Sequence, residues 1–175
     1  FADENAVALT LSFIADLRLR PSEDQVGILG DTIDATRLSK FGIDPRTLSF
    51  AEELKMGRRF FEGLRAAAGP GVRIFEVASN HGDRLAKTMA HQMPDLVGVK
   101  KHGGAWPALS IPGLIGYDEL GIEYVGGDGS GPDWFRGYEL LVPGGAHGPD
   151  LWAAHGFYSR KVTGGSAQAL SEQLG

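Results

Sequence analysis

An α/β fold is predicted for this chain, and two observations carry the prediction. In the first half, short apolar runs alternate with longer stretches whose apolar residues recur at helical spacing, the order strand, helix, strand, helix. Each strand-like run also stops abruptly at a Gly- and Asp-rich cluster, as strands do where they meet a loop. A third observation qualifies the class. The second half is richer in glycine and has short runs without helical partners, which predicts an antiparallel portion.

The elements follow in order. Residues 3–18 read as a helix capped by Asp3, with Val7, Leu11, Ile14 and Leu17 on one face. Pro21 ends it. Residues 25–29 read as a buried strand. Residues 48–68 form a second helix with Leu54, Phe60, Phe61 and Leu64 as core candidates. Ser49 with Glu52 makes a capping box, and Gly69-Pro70-Gly71 stops the helix. Residues 72–77 are a second strand, and a third helix covers 83–93. The segment 98–116 mixes Trp, Pro and Gly and reads as an ordered loop or short helical turns. Residues 122–125 and 138–142 are expected as strands of the antiparallel portion, with a turn or mobile loop at 126–133 between them. Residues 151–154 form another short strand, and a last helix starts at Ser166.

Bulk properties bound the function classes. At 175 residues the chain suits one domain with a real core. No apolar run approaches the roughly 18 residues that span a membrane. The formal net charge of -5 argues against an extensive nucleic-acid groove, though a local basic patch is compatible with it. With no cysteine, any metal site must use His, Asp, Glu or Asn, and the chain is expected in the cytoplasm. It begins at Phe1 rather than Met, so the true N-terminus is expected upstream.

Three apolar runs end in short polar clusters: Gly30-Asp31-x-x-Asp34, Asn80-His81 and His155-Gly156. Ligands of α/β sheets bind outside the carboxyl ends of the strands, and three ends in one sheet can converge. Carboxylate, amide oxygen and imidazole together suit a borderline divalent metal such as Mn, Fe or Zn. Taken singly, each cluster also has a structural reading. Asp31 can begin a turn or cap a helix, Asn80-His81 can be an Asx turn, and His155 can be a satisfied, half-buried histidine. Only their conjunction favours a metal site.

These residues carry a resemblance. "GDTID" resembles the G-D-x-x-D motif of the calcineurin-like metallophosphoesterases, "SNHGDRL" their G-N-H-E/D motif, and "AAHGFYSRK" the later strand that ends in a metal-binding His. Order and spacing agree over the whole chain, and "LSKFGIDPR" and "YDELGIEYV" are similar to the phage and bacterial branch. The resemblance implies a layered α/β/β/α sandwich of two mixed sheets flanked by helices. It implies two divalent metal ions, with Asp31 bridging them and Asn80 and His155 holding the second. His81 would protonate the leaving oxygen, and Asp34 would accept from its far nitrogen and orient its ring, as a buried carboxylate does for a catalytic His. Arg84 and Arg160, the latter beside Lys161, would contact substrate. The implied reaction is hydrolysis of a phosphomonoester or phosphodiester by a metal-bound hydroxide.

The resemblance also implies motifs this chain does not contain. D-x-H belongs upstream of Phe1 and G-H-x-H beyond Gly175, so the chain reads as a domain incomplete at both ends and inactive by itself. Ser79 replaces the usual Gly before Asn, and Gly82 replaces the usual acid after His, a role Asp83 could partly take. The alternative is a non-catalytic relative that keeps the fold as a binding or scaffold module. An unrelated hydrolase or nucleotide-binding domain lacks its marks, since no G-x-S-x-G elbow, P-loop lysine or G-x-G-x-x-G fingerprint is present. His91, His102 and His147 read as surface or loop histidines. Trp106, Trp134 and Trp152 read as packing anchors, and Glu52, Glu53 and Glu62 as a solvated face.

Overall fold

The computed structural model describes residues 3–39, 44–126, 138–143 and 150–155. Helix α1 (Glu4–Asp16) is capped by the Asp3 side chain, which accepts from the N–H groups of Asn5 and Ala6. Strand β1 (Gln25–Ile28) follows, then a 3-10 turn at Thr36–Leu38, helix α2 (Phe50–Ala68) and strand β2 (Arg73–Val77). Helix α3 (Asp83–Gln92) and two short helices, α4 (Ile111–Ile115) and α5 (Tyr117–Leu120), lead to strand β3 (Ile122–Val125). Strands β4 (Tyr138–Val142) and β5 (Leu151–Ala154) form an antiparallel pair.

The Ser49–Glu52 capping box forms at the start of α2. Gly69, at φ +85°, ends the helix in a conformation that favours glycine. Residues 98–116 contain the short helix α4 and turns, as expected of that segment.

Sheet order corrects one expectation. Residues 122–125 do not join the antiparallel portion. β3 pairs parallel to β2, with Ile74 opposite Ile122, and β1 pairs parallel to the other edge of β2. The reason is the connection: 83–120 is long enough to return the chain to the same end of the sheet before β3 starts. Among the described residues one sheet is thus purely parallel and the other purely antiparallel.

Both crossovers move the chain in the same direction across the sheet, β1 to β2 to β3. Crossovers of one hand then place their helices on one face. The core agrees. Phe61 and Leu64 of α2, Ile111 and Ile115 of α4 and Tyr117 of α5 are buried together with Ile74, Ile122 and Tyr124 of the sheet. Aromatic rings hold its centre, with Tyr117 edge-on to Phe61 at 4.9 Å and Trp106 edge-on to Tyr124 at 5.6 Å. Trp106 is thus a packing anchor, whereas Trp152 is 38% exposed.

The strand period of two sends Phe75 and Val77 to the opposite face, where both are also buried. Arg73 shares that face. Its guanidinium lies over the Phe75 ring and pairs with Glu123 and with Glu139 of β4, tying the antiparallel ribbon to the parallel sheet. The central strand β2 is therefore buried on both faces and the edge strand β1 is not. β1 alternates exposed and half-buried positions, and Leu29 beyond it is 53% exposed, so the expectation of a buried strand at 25–29 fails. An edge position explains this, since β1 has a strand partner on one side.

Helix α1 packs on α2, with Leu11 over Gly63. Leu17, expected on its inner face, is exposed along with Leu9 and Phe13. Among the described residues no helix is long and apolar enough to cross a membrane. The expected helix from Ser166 and residues 127–133 of the expected loop lie outside the described residues.

Candidate metal centre

The ends of β1, β2 and β5 deliver the polar clusters to one place. After β1 the chain turns sharply through Gly30 at φ +87° and Asp31 at φ +57°. Glycine is required at 30. A Cβ there would lie 2.7 Å from Ser79 Cβ and 2.9 Å from His155 Nδ1. The two strand ends and the His155 ring therefore approach as closely as they do only because position 30 has no side chain. After β2, Asn80 and His81 lead into α3, and the buried Ser79 hydroxyl accepts from the Gly82 N–H at 3.3 Å. His155 follows β5 directly. It arrives from the antiparallel sheet, so the three ends meet across two sheets, not within one as expected.

His155 is fixed through its backbone-facing nitrogen. Nδ1 lies 2.7 Å from the Leu29 carbonyl oxygen. A carbonyl can only accept, so Nδ1 carries a proton and donates. In a neutral ring that leaves the Nε2 lone pair directed outward. Nε2 faces Asn80 Oδ1 at 2.7 Å and Asp31 Oδ1 at 3.6 Å. Amide oxygen and carboxylate oxygen are acceptors too. In this amide orientation three lone-pair donors converge, an arrangement that a proton on Nε2, a metal ion or a turn of the Asn80 amide to present its NH2 renders favourable.

The spacing suits a metal. Two atoms bound to one ion at about 2.1 Å are about 3.0 Å apart at a right angle and about 3.4 Å apart at the tetrahedral angle. The observed 2.7 and 3.6 Å bracket those values. The Nδ1–H to carbonyl contact is also the outer hydrogen bond that sets the tautomer of a ligating histidine. Among the described residues no three His, Cys, Asp or Glu side chains form a metal-holding group by themselves; the third donor here is an amide. The donor set fits one divalent ion in which Asp31, Asn80 and His155 supply part of the coordination sphere.

His81 stands beside this triad. Its Nδ1 lies 2.8 Å from Asp34 Oδ1 and 3.6 Å from Asp31 Oδ1. With Nδ1–H donated to Asp34, Nε2 is the nitrogen available for proton transfer. Asp34 is not the buried carboxylate expected of an orienting group; its side chain is 57% exposed. It is held instead by contacts. The Thr36 hydroxyl bonds it, and the Arg84 Nη1 donates to both its carbonyl at 2.6 Å and its Oδ1 at 3.2 Å. The Thr36 hydroxyl, and then the His81 and Arg84 charges, keep its carboxyl below the usual range, although partial burial opposes them. Arg84 therefore clamps Asp34, an assignment its expected role in substrate contact did not include.

Other expectations change on the same evidence. Asp83 does not stand in for the acid missing at Gly82, because its carboxylate is buried and paired with Lys87. Glu53 is not solvated. It is half-buried and accepts the Ala35 N–H at 2.6 Å, and burial pushes its carboxyl up. His91 and His102 are exposed. Arg160, Lys161, His147 and Trp134 lie outside the described residues.

One residue of the site's foundation escaped the sequence reading. Glu76 of β2 is 4% exposed and lies directly beneath the turn. It accepts hydrogen bonds from the hydroxyls of Thr32 and Tyr117, and burial pushes its carboxyl above the ordinary range. The signal was present: a lone acid within the apolar run "RIFEVA", in phase with Ile74 and so facing the core. A small cleft lined by Thr32, Glu76, Ser79, Gly82 and Tyr124 opens there. An apolar cleft along α3, lined by Leu85, Met89, Val97 and Leu109, contains none of these residues.

No family model, curated protein or solved structure matches this chain.

Proposed function

We propose that this chain carries part of the active site of a metal-dependent phosphoesterase that hydrolyses a phosphomonoester or phosphodiester. The observation that carries the reading is the convergence of Asp31 Oδ1, Asn80 Oδ1 and His155 Nε2, with His81 beside them. Asp31, Asn80 and His155 would hold one divalent ion, and Asp31 is the residue able to bridge to a second. The ions, Mn, Fe or Zn, would supply Lewis-acid activation of water and neutralise phosphoryl charge. His81 would give its Nε2 proton to the leaving oxygen. Asp34 holds that ring by its other nitrogen, and Arg84 and Thr36 hold Asp34. The helices on one face of the parallel sheet and the ribbon on the other support, within the same proposal, a layered α/β/β/α arrangement of the calcineurin-like type; a cytoplasmic location is part of the proposal and rests on the absence of cysteine alone.

Calorimetric titration of the chain with Mn2+ and with Zn2+ tests the reading. Binding that weakens at least tenfold in Asp31→Asn and in His155→Gln supports it, as does metal-stimulated hydrolysis of p-nitrophenyl phosphate or bis-p-nitrophenyl phosphate. Absence of binding, or binding indifferent to both substitutions, overturns it.

A further inference from the structure

The turn that carries Asp31 is strained. Asp31 at φ +57° and Ala35 at φ +48° both occupy the left-handed region, which residues with a Cβ rarely adopt. Such conformations persist only where the surroundings hold them. Two carboxylates from other elements grip this segment at its two ends. Glu53 of α2 takes the Ala35 N–H. Glu76 of β2 accepts from the hydroxyl of Thr32, the residue after Asp31.

The grip at Thr32 matters for Asp31 in particular. Thr32 shares with Asp31 the peptide plane that sets the ψ angle of Asp31, so anchoring the Thr32 side chain limits how far that plane can turn. Glu76 can do this because it is itself immobile. It lies in the central strand, and its other oxygen accepts from Tyr117, a fully buried ring packed edge-on against Phe61 and Tyr124. An apolar side chain at 76 would fill the space without this constraint, and burying a carboxyl there is costly unless its hydrogen bonds are used.

We propose that Glu76 is a positioning residue which, through Thr32, holds Asp31 in its left-handed conformation with the carboxylate between His81 and His155. The importance of that placement rests on the phosphoesterase reading; the placement itself does not.

NMR of the whole chain tests it, using the backbone carbon shifts of Asp31 as a reporter of left-handed conformation. In Glu76→Met, of similar length but without an acceptor, Asp31 should lose its left-handed shifts. Mn2+ affinity should fall about tenfold, the size seen when outer hydrogen-bond partners of a metal ligand are removed. Leu64→Val, which weakens the core without removing a hydrogen bond of Glu76, should leave the Asp31 shifts unchanged and Mn2+ affinity within twofold. Should Glu76→Met not fold, Thr32→Val on the half-buried turn carries the test, with a partial shift of Asp31 expected. Unchanged Asp31 shifts in the Glu76 or Thr32 variant overturn the proposal, and so does Leu64→Val moving them equally. If the wild-type chain binds no Mn2+, the phosphoesterase reading fails while the shift measurements still decide this one.

Discussion

The Nδ1 of His155 donates to the carbonyl oxygen of Leu29 at 2.7 Å, so a histidine at the end of β5 is anchored to the end of β1, 126 residues earlier. This single bond joins the antiparallel ribbon to the parallel sheet at the point where the polar clusters meet. It also decides which His155 nitrogen is directed at Asn80 and Asp31.

Closeness at this junction depends on Gly30. In Gly30→Ala the new methyl would meet Ser79 and the His155 ring, on a backbone at φ +87°. We expect a loss of about 1–3 kcal/mol of stability, the usual range for overpacking, plus displacement of His155. Urea unfolding reads the first and Mn2+ titration the second. A variant as stable as the parent with unaltered binding contradicts the geometry.

The lowered carboxyl of Asp34 has a defined largest cause, the Thr36 hydroxyl. A carboxyl whose folded pKa is depressed adds stability that is present above its unfolded value, about 3.9, and is lost as pH falls through the folded value. Thr36→Val should move the Asp34 titration upward, followed by its side-chain carboxyl carbon shift. An unmoved titration means that His81 and Arg84 alone set it.

For Glu76 the sign is opposite. Burial raises its carboxyl, so the folded chain keeps a proton that the unfolded chain releases near pH 4.3. Its contribution to stability therefore declines as pH rises from there through the raised folded value. Glu76→Gln, which cannot ionise, should flatten that part of the profile relative to wild type. Urea midpoints across about pH 4 to 8 make the comparison, and parallel wild-type and variant profiles would refute it.

The core should be intolerant at Phe61, which is fully buried between Phe60 and Tyr117. Phe61→Ala should cost about 3–5 kcal/mol, a large part of the roughly 5–15 kcal/mol a domain possesses. Circular dichroism on heating should show a melting transition lowered by many degrees, or none at all.

Local features were legible in the residues. The α1 cap at Asp3, the capping box of Ser49 and Glu52, the stop at Gly69 and the strand at 73–77 all rest on interactions within a few residues of the chain. The polar clusters after β1, β2 and β5 could be named for the same reason: each is an apolar run that stops.

What the residues did not disclose is long-range. The parallel pairing of β3, the exposed edge at β1 and the approach of His155 from a second sheet depend on which strands become neighbours. Local patterning says only that a strand exists; an apolar run of four residues is compatible with either direction and either layer. Glu53 and Glu76 show the same limit. Each looks like an ordinary acid in its own helix or strand, and each acquires its role from a donor 18 or 44 residues away, the Ala35 N–H for Glu53 and the Thr32 hydroxyl for Glu76. Sequence alone determined which side chains could bind a cation and which segments are helix or strand. Tertiary structure decided which of those side chains meet and what holds them, because buried hydrogen bonds are assigned only once the layers have packed.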